Sequence, residues 1–333
     1  MSNSDVEKYP GDLLSKDCSN TENIIAKANK GLGIVAQIKV ILDEVSLGSH
    51  YFEVARLLRN ALLINGMLTN VEVAYGLNSD QLKLLEDVDK ILLQNMLKGH
   101  SKTPTEAYYL ELGILPIKYI IKSSRIMFLH YILSRDENEP LAKFFEAQNL
   151  RPSKNDWCYT VKNDMADIDL EYTFDEIKMI KKAKFKKIVK SKIINAAFAD
   201  LNQTKDRHSK LDNIIYNNDL ELQSYFKSSS VVPDDIRDLF KFRTRMSNVK
   251  NNFKSKFKNN LTCPLSGCDE IENDIHLANC KIINSKRSVI NEDIDYFDLF
   301  RNNVDEQFDI TCYLSEGEKI RDELLECQEE ESD

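Results

Sequence analysis

The sequence predicts a mostly α protein. Apolar residues recur at helical spacing over most of residues 31–150, helix start and stop signals repeat along the chain, and alternating strand patterns are scarce. At 333 residues the chain can bury a large core and divide into two or three domains. Its 42% hydrophobic and 30% charged content is that of a soluble globular protein. No apolar run reaches the roughly 18 residues a membrane span needs, and the polar stretch Met1–Gly11 carries no signal-peptide pattern. Seven cysteines, odd in number and clustered, argue against a disulfide framework and for a reducing compartment. The expected location is intracellular, in the nucleus or cytoplasm.

Residues 1–30 are polar and turn-rich, with Tyr9-Pro10-Gly11-Asp12 placed to end a strand. Helices fill residues 31–150. In the first, Ile34, Val35, Ile38, Ile41, Leu42 and Val45 keep helical spacing until Gly48. A second runs from about Tyr51 to Ile64 and stops near Gly66. A third covers about Asp80 to Leu97, with Asn78 as cap and Gln81 three residues on. Thr103-Pro104-Thr105-Glu106 reads as a further start, Thr103 capping and Glu106 returning a bond, and Gly113 ends that helix. Pro116 opens a long helix to about Arg135. Its apolar positions leave Lys118, Lys122 and Arg125 on other faces. The result is a helical bundle with a continuous core. Within it, His130 reads as a core or edge histidine. Asp87 and Asp89 read as a solvated face, since carboxylates two apart on a helix diverge.

Residues 151–239 read as a connector containing a basic helix. Trp157, the one tryptophan, plugs the connection onto the bundle. From Ile177 to Lys192 there are eight lysines and no acid, among them Lys181, Lys182, Lys186 and Lys190, with an apolar face threaded through. Such a face either is simply solvated or contacts phosphate. Pro233-Asp234-Asp235 starts another helix, leading into Ile236, Leu239 and Phe240.

Residues 240–285 carry the strongest chemical signal. Lys241, Arg243, Arg245, Lys250, Lys254, Lys256 and Lys258 come with no acid among them. Cys263, Cys268, His276 and Cys280 follow, spaced C-x4-C-x7-H-x3-C. Three thiolates and an imidazole within eighteen residues suit tetrahedral zinc, and Pro264 and Gly267 supply the turn between the first two ligands. A basic run feeding a small metal loop points to nucleic acid. Residues 286–333 form an acidic tail. From Glu292 to Asp333, sixteen acids stand against three bases, a net of −13, so the rest of the chain is +4 within the total of −9. Ser315 and Glu318 are placed to cap a last helix through Leu325.

Several of these pieces resemble one family in order along the chain. Lys8-Tyr9-Pro10-Gly11-Asp12 is similar to the K-Y-L-G-D segment near the end of the palm of non-LTR retrotransposon reverse transcriptases. Thr103-Pro104-Thr105-Glu106-Ala107, Tyr109-Leu110-Glu111-Leu112-Gly113 and Pro116-Ile117 resemble its thumb. Arg243-Thr244-Arg245-Met246, Asn252-Phe253, Cys263-Pro264-Leu265, His276-Leu277 and Cys280 resemble its C-terminal zinc knuckle. The family's knuckle reads C-P-L-C. Here Ser266 holds the second cysteine's place and Cys268 lies two residues later. The resemblance implies a palm remnant over 1–30, a thumb-like bundle over 31–150, connector helices, and a zinc knuckle within 240–285.

The family's polymerase holds two metal ions on palm aspartates, one in a Tyr-x-Asp-Asp turn. Neither Tyr172-Thr173-Phe174-Asp175 nor Tyr216-Asn217-Asn218-Asp219 matches that turn. The 53 residues after Cys280 contain no proline for a Pro-Asp nuclease turn. No nucleophile elbow, P-loop or dinucleotide fingerprint is present either. The expectation is a C-terminal polymerase portion without catalytic residues of its own. It would bind RNA and DNA and partner the missing palm and fingers. The rival expectation is a helical scaffold from a decayed element, binding protein through its acidic and amphipathic helices.

Overall fold

The computed structural model describes residues 6–9, 12–15, 20–44, 48–151, 153–154, 156–216, 219–228, 231–257, 260–287, 295–301 and 303–330. The fold is mostly α. A short antiparallel hairpin, β1 (Val6–Tyr9) and β2 (Asp12–Ser15), pairs Tyr9 with Asp12 and Val6 with Ser15. Pro10 and Gly11 lie outside the described residues.

Helix α1 (Thr21–Glu44) starts well before the expected boundary at residue 31 and continues through two glycines. Gly31 explains how. A methyl group there would lie 2.7 Å from Met67 Sδ, so glycine lets α1 approach its neighbours closely. Helix α2 (Tyr51–Leu58) passes into a π-helical turn, Arg59–Ile64, and then α3 (Asn65–Met67). Helix α4 (Ser79–Leu97) carries the expected capping box, Asn78 and Gln81 satisfying each other's backbone donors. Asp89 on α4 corrects the solvated-face reading. It is fully buried and bound bidentately by Arg59, at 2.7 and 2.6 Å, and also accepts from the Tyr109 hydroxyl at 3.1 Å. The π turn carries Arg59, and its carboxylate partner comes from a different helix, 30 residues on.

Helix α5 (Thr105–Leu112) has Pro104, not Thr103, at its cap, with no side-chain cap bond. Gly113 ends it at φ +58°, where a Cβ would collide with the backbone of Glu221. Helix α6 (Ile117–Leu133) follows as expected. His130 is buried as expected, with Nε2 2.8 Å from Ile180 O and the ring stacked on Phe185. Helix α7 (Pro140–Leu150) precedes α8 (Trp157–Ala166), which occupies a stretch the sequence reading leaves as a connection. Asp156 caps α8, so the polar residues there mark a helix start. Trp157 is the plug expected of it: its indole donates to Glu72 O at 2.8 Å and packs edge-on to Phe128 and Phe145. Helices α9 (Phe174–Met179), α10 (Lys182–Lys205) and α11 (Pro233–Arg243) complete the connector.

The packing groups the chain differently from the sequence boundaries. One core joins α1 to α5, α11, the cysteine loop and the C-terminal helix. A second joins the far half of α6 with α7 to α9 and the first half of α10. Short helices α12 (Asp274–Asn279) and α13 (Lys281–Asn284) lead to α14 (Val304–Glu330), a single 27-residue helix in the acidic segment. Ser315 and Glu318 sit inside α14 rather than at its start, and its Ile310, Thr311 and Leu314 are buried in the first core. No helix of the described residues is long and apolar enough to cross a membrane.

Candidate metal centre and the basic surface around it

The cysteine loop is closed by a two-stranded neck. Thr262 and Ile271 form an isolated antiparallel bridge. Cys263 N donates to Glu270 O at 2.7 Å, and Glu272 N donates to Leu261 O at 2.8 Å. Between them the chain turns back, with Cys268 N on Leu265 O at 3.1 Å and Gly267 at φ +83°, a conformation that glycine adopts without strain. Asn273 caps α12 by accepting from His276 N at 2.7 Å, which puts His276 on the first turn. Cys280 ends α12 and opens α13.

These elements bring the four expected ligands together. One ligand atom each from Cys263, Cys268, His276 and Cys280 lies within 4.8 Å of all the others, and the cluster can hold a metal ion. Cys268 Sγ is 3.5 Å from His276 Nε2, so Cys268 belongs to the cluster, while Ser266 is exposed. His276 Nδ1 lies 3.0 Å from a Glu270 carboxylate oxygen. That contact fixes the ring and leaves Nε2 for the metal, the usual outer-shell arrangement for a ligating histidine. Glu270 has no mark in the spacing pattern, and sequence reasoning missed it.

Burial pushes the Cys263 thiol up to about 12, opposed by a backbone N–H from Leu265 and reinforced by the neighbouring Cys280 and Cys268. Cys280 is likewise raised by burial, against N–H donors from Ile283 and Ile282. The backbone donors aimed at both sulfurs favour thiolate, and a bound dication would outweigh the desolvation. The donor set, three sulfurs and one imidazole, suits a borderline-soft tetrahedral ion such as zinc.

The basic residues divide sharply. On α10 and just before it, Lys181, Lys182, Lys186 and Lys190 are exposed, as a contact face requires. Lys254 and Lys256 are exposed too, and Lys250 reaches Thr262 O at 2.8 Å across the neck. Lys258 lies outside the described residues. Arg243 is a correction: it is 3% exposed, and its guanidinium pairs with Glu111 and donates to Leu299 O. It sits one turn from Leu239 and Phe240 on the buried face of α11, so it cannot reach a phosphate. Lys241 is paired as well, with Glu318 at 2.8 Å and Asp238 at 3.2 Å. Glu111 and Glu318 are remote in sequence and Asp238 lies just ahead of the run, so the absence of acids within it did not mean free cations.

Arg245, at φ +50°, instead joins Lys102, Arg207, Lys210 and Lys254 around an open cleft of about 700 Å³ against the N-terminal end of α12. Lys102, Arg207 and Lys210 come from segments with no basic run, and no sequence signal singled them out. No known family, curated protein or solved structure matches this chain.

Proposed function

We propose that the chain is a nucleic-acid-binding C-terminal portion of a non-LTR reverse transcriptase, holding one structural zinc and carrying no polymerase catalysis of its own. The observation that carries the reading is the clustering of Cys263, Cys268, His276 and Cys280 directly beside a basic surface. The ordered resemblance of the palm-end, thumb and knuckle segments supplies the family. Zinc here fixes the fold of a loop with little core of its own. The exposed α10 lysines and the cleft beside the metal loop supply phosphate contacts to RNA or DNA, and palm and fingers would come from the remainder of the polymerase. No catalytic residue is assigned, because no Tyr-x-Asp-Asp turn is present in the sequence.

A scaffold reading has one observation in its favour: Lys241 and Arg243 are held internally by acids, one of them on α14. One experiment separates the two. Zinc content is measured on freshly purified protein, and RNA affinity is measured across a salt series. One zinc per chain with a steep negative dependence on salt supports the polymerase portion. Zinc-free protein without salt-dependent RNA binding leaves the scaffold. Template-dependent extension of a primer by the purified chain would overturn the non-catalytic part of the reading.

A further inference from the structure

The cleft beside the metal loop is unusual in its charge. Five cations line it: Lys102 from the loop between α4 and α5, Arg207 and Lys210 after α10, Arg245 after α11, and Lys254 from the basic segment. None forms an ion pair among the described residues, although most cations of the fold with known contacts do. The one carboxylate on the wall, Asp274, accepts hydrogen bonds from the Ser247 hydroxyl and from Asn252 Nδ2. In a chain with a net charge of −9, five cations facing a single carboxylate are a local excess of positive charge that a bound polyanion would offset.

Two of the cations, Lys210 and Lys102, are anchored beside an aromatic ring, while Arg207 and Lys254 are exposed. Lys210 Nζ donates to Asn252 O at 2.5 Å and lies 5.0 Å from the centre of the Phe253 ring. Lys102 Nζ approaches the same ring at 5.8 Å, and His100 packs on it at 4.8 Å. Burial lowers the pKa of both Lys210 and His100; neighbouring cations lower them further, while the Asp274 charge opposes the shift at Lys210. The cleft is therefore a positive recess with a half-buried aromatic on its wall. A duplex stacks its bases inward and offers only phosphates to such a recess. An unpaired nucleotide offers a phosphate and a ring face together.

We infer that this cleft binds single-stranded nucleic acid, its cations Lys102, Arg207, Lys210, Arg245 and Lys254 holding the backbone and Phe253 meeting an unpaired base. The inference rests on the nucleic-acid reading above and names its ligand form and its site. It joins part of the basic run, Arg245 and Lys254, to Lys102, Arg207 and Lys210 from elsewhere in the chain, in a place assembled from four separate segments.

The test is fluorescence anisotropy with a labelled 20-nucleotide single strand and the matching duplex, on full-length protein across a salt series. Lys102, Arg207 and Lys254 are exposed, so the triple variant K102A/R207A/K254A should fold as wild type. It should flatten the log–log salt slope for the single strand by about 2, from three contacts at about 0.7 each. Phe253→Leu should weaken single-strand binding about tenfold and duplex binding much less, while Phe253→Trp restores it. The comparison variant is K181A/K186A/K190A on α10. Wild type that binds nucleic acid, with its slope unchanged in the cleft triple and lowered in the α10 triple, overturns the cleft and leaves the proposed function standing. Equal losses on single strand and duplex with Phe253→Leu overturn the single-strand assignment. Wild type that binds neither overturns the proposed function, and the cleft with it.

Discussion

Arg243 Nε donates to Glu111 Oε1 at 3.1 Å, joining residues 132 positions apart inside a core that seals both from solvent. Glu111 also accepts from the hydroxyls of Tyr216 and Tyr225, at 2.9 and 2.8 Å. One carboxylate on α5 thus ties together the end of α11 and the chain between α10 and α11. Removing one member of such a buried pair leaves the other charge uncompensated. Arg243→Ala should destabilise the protein by about 3–5 kcal/mol, read as a shift in the urea midpoint. Nucleic-acid affinity of the remaining folded protein should not change. A loss of affinity with normal stability would return Arg243 to the binding surface.

Alkaline pH should act on the same cluster. Burial raises the pKa of Tyr216 and Tyr225 well above 10.0, with the Glu111 charge adding to it, and pushes Tyr108 up to about 12. These groups bind their protons more tightly folded than unfolded. Their contribution is complete below the unfolded pKa, near pH 10, and is lost as pH rises through the folded values. Stability should therefore be flat up to about pH 10 and fall from there towards about pH 12, with phenolate absorbance rising in step with unfolding. Tyr108→Phe should reduce the slope of that fall. Phenolate signal that rises fully before any unfolding would mean these hydroxyls are not sealed.

The salt dependence of binding should distinguish cations by their partners. Lys241 is held by Glu318 and Asp238, so Lys241→Ala should leave the slope of log affinity against log salt unchanged. Replacing Lys181, Lys186 and Lys190 together should flatten it by up to about 2, since each free phosphate contact contributes about 0.7 on a single strand. A slope changed by Lys241→Ala alone would show that the Glu318 contact opens on binding.

These cases show which parts of the molecule the sequence makes legible. Local signals were read correctly where the partner is also local. The Asn78–Gln81 capping box, the Gly113 stop and the four ligands around Cys268 all lie within a few turns of one another. Thr103 misled because Pro104 takes the cap position, and α8 was missed because its capping Asp156 sits among turn-type residues. A last helix was expected only from about Ser315; the acidic composition hid the first part of α14, whose buried residues Gln307, Ile310, Thr311 and Leu314 are half polar. Asp89, Arg243 and Lys241 were misread for one reason: their partners Arg59, Glu111 and Glu318 come from other elements. The cleft at Lys102, Arg207 and Lys210 was invisible on the same ground.

The metal loop gives the sharpest prediction, because the structure puts Cys268, not Ser266, in the ligand cluster. Ser266 is exposed, and Cys268 Sγ faces His276 Nε2. One zinc should copurify with wild type, and Cys268→Ser should release it. The segment docks on the first core through Leu265, Leu277 and Ala278, so zinc is needed chiefly to fix the exposed turn between Leu265 and the neck at Thr262 and Ile271. Cys268→Ser should therefore open residues 266–271 to protease, while Cys312→Ser, on the exposed side of α14, should change neither zinc nor cleavage. Glu270→Ala should keep the four ligands but loosen the His276 ring, weakening zinc about 10- to 100-fold in a chelator competition. Zinc that survives Cys268→Ser at full occupancy would show that Cys268 is not a ligand. An unchanged affinity in Glu270→Ala would show that Nδ1 needs no carboxylate to aim the ring.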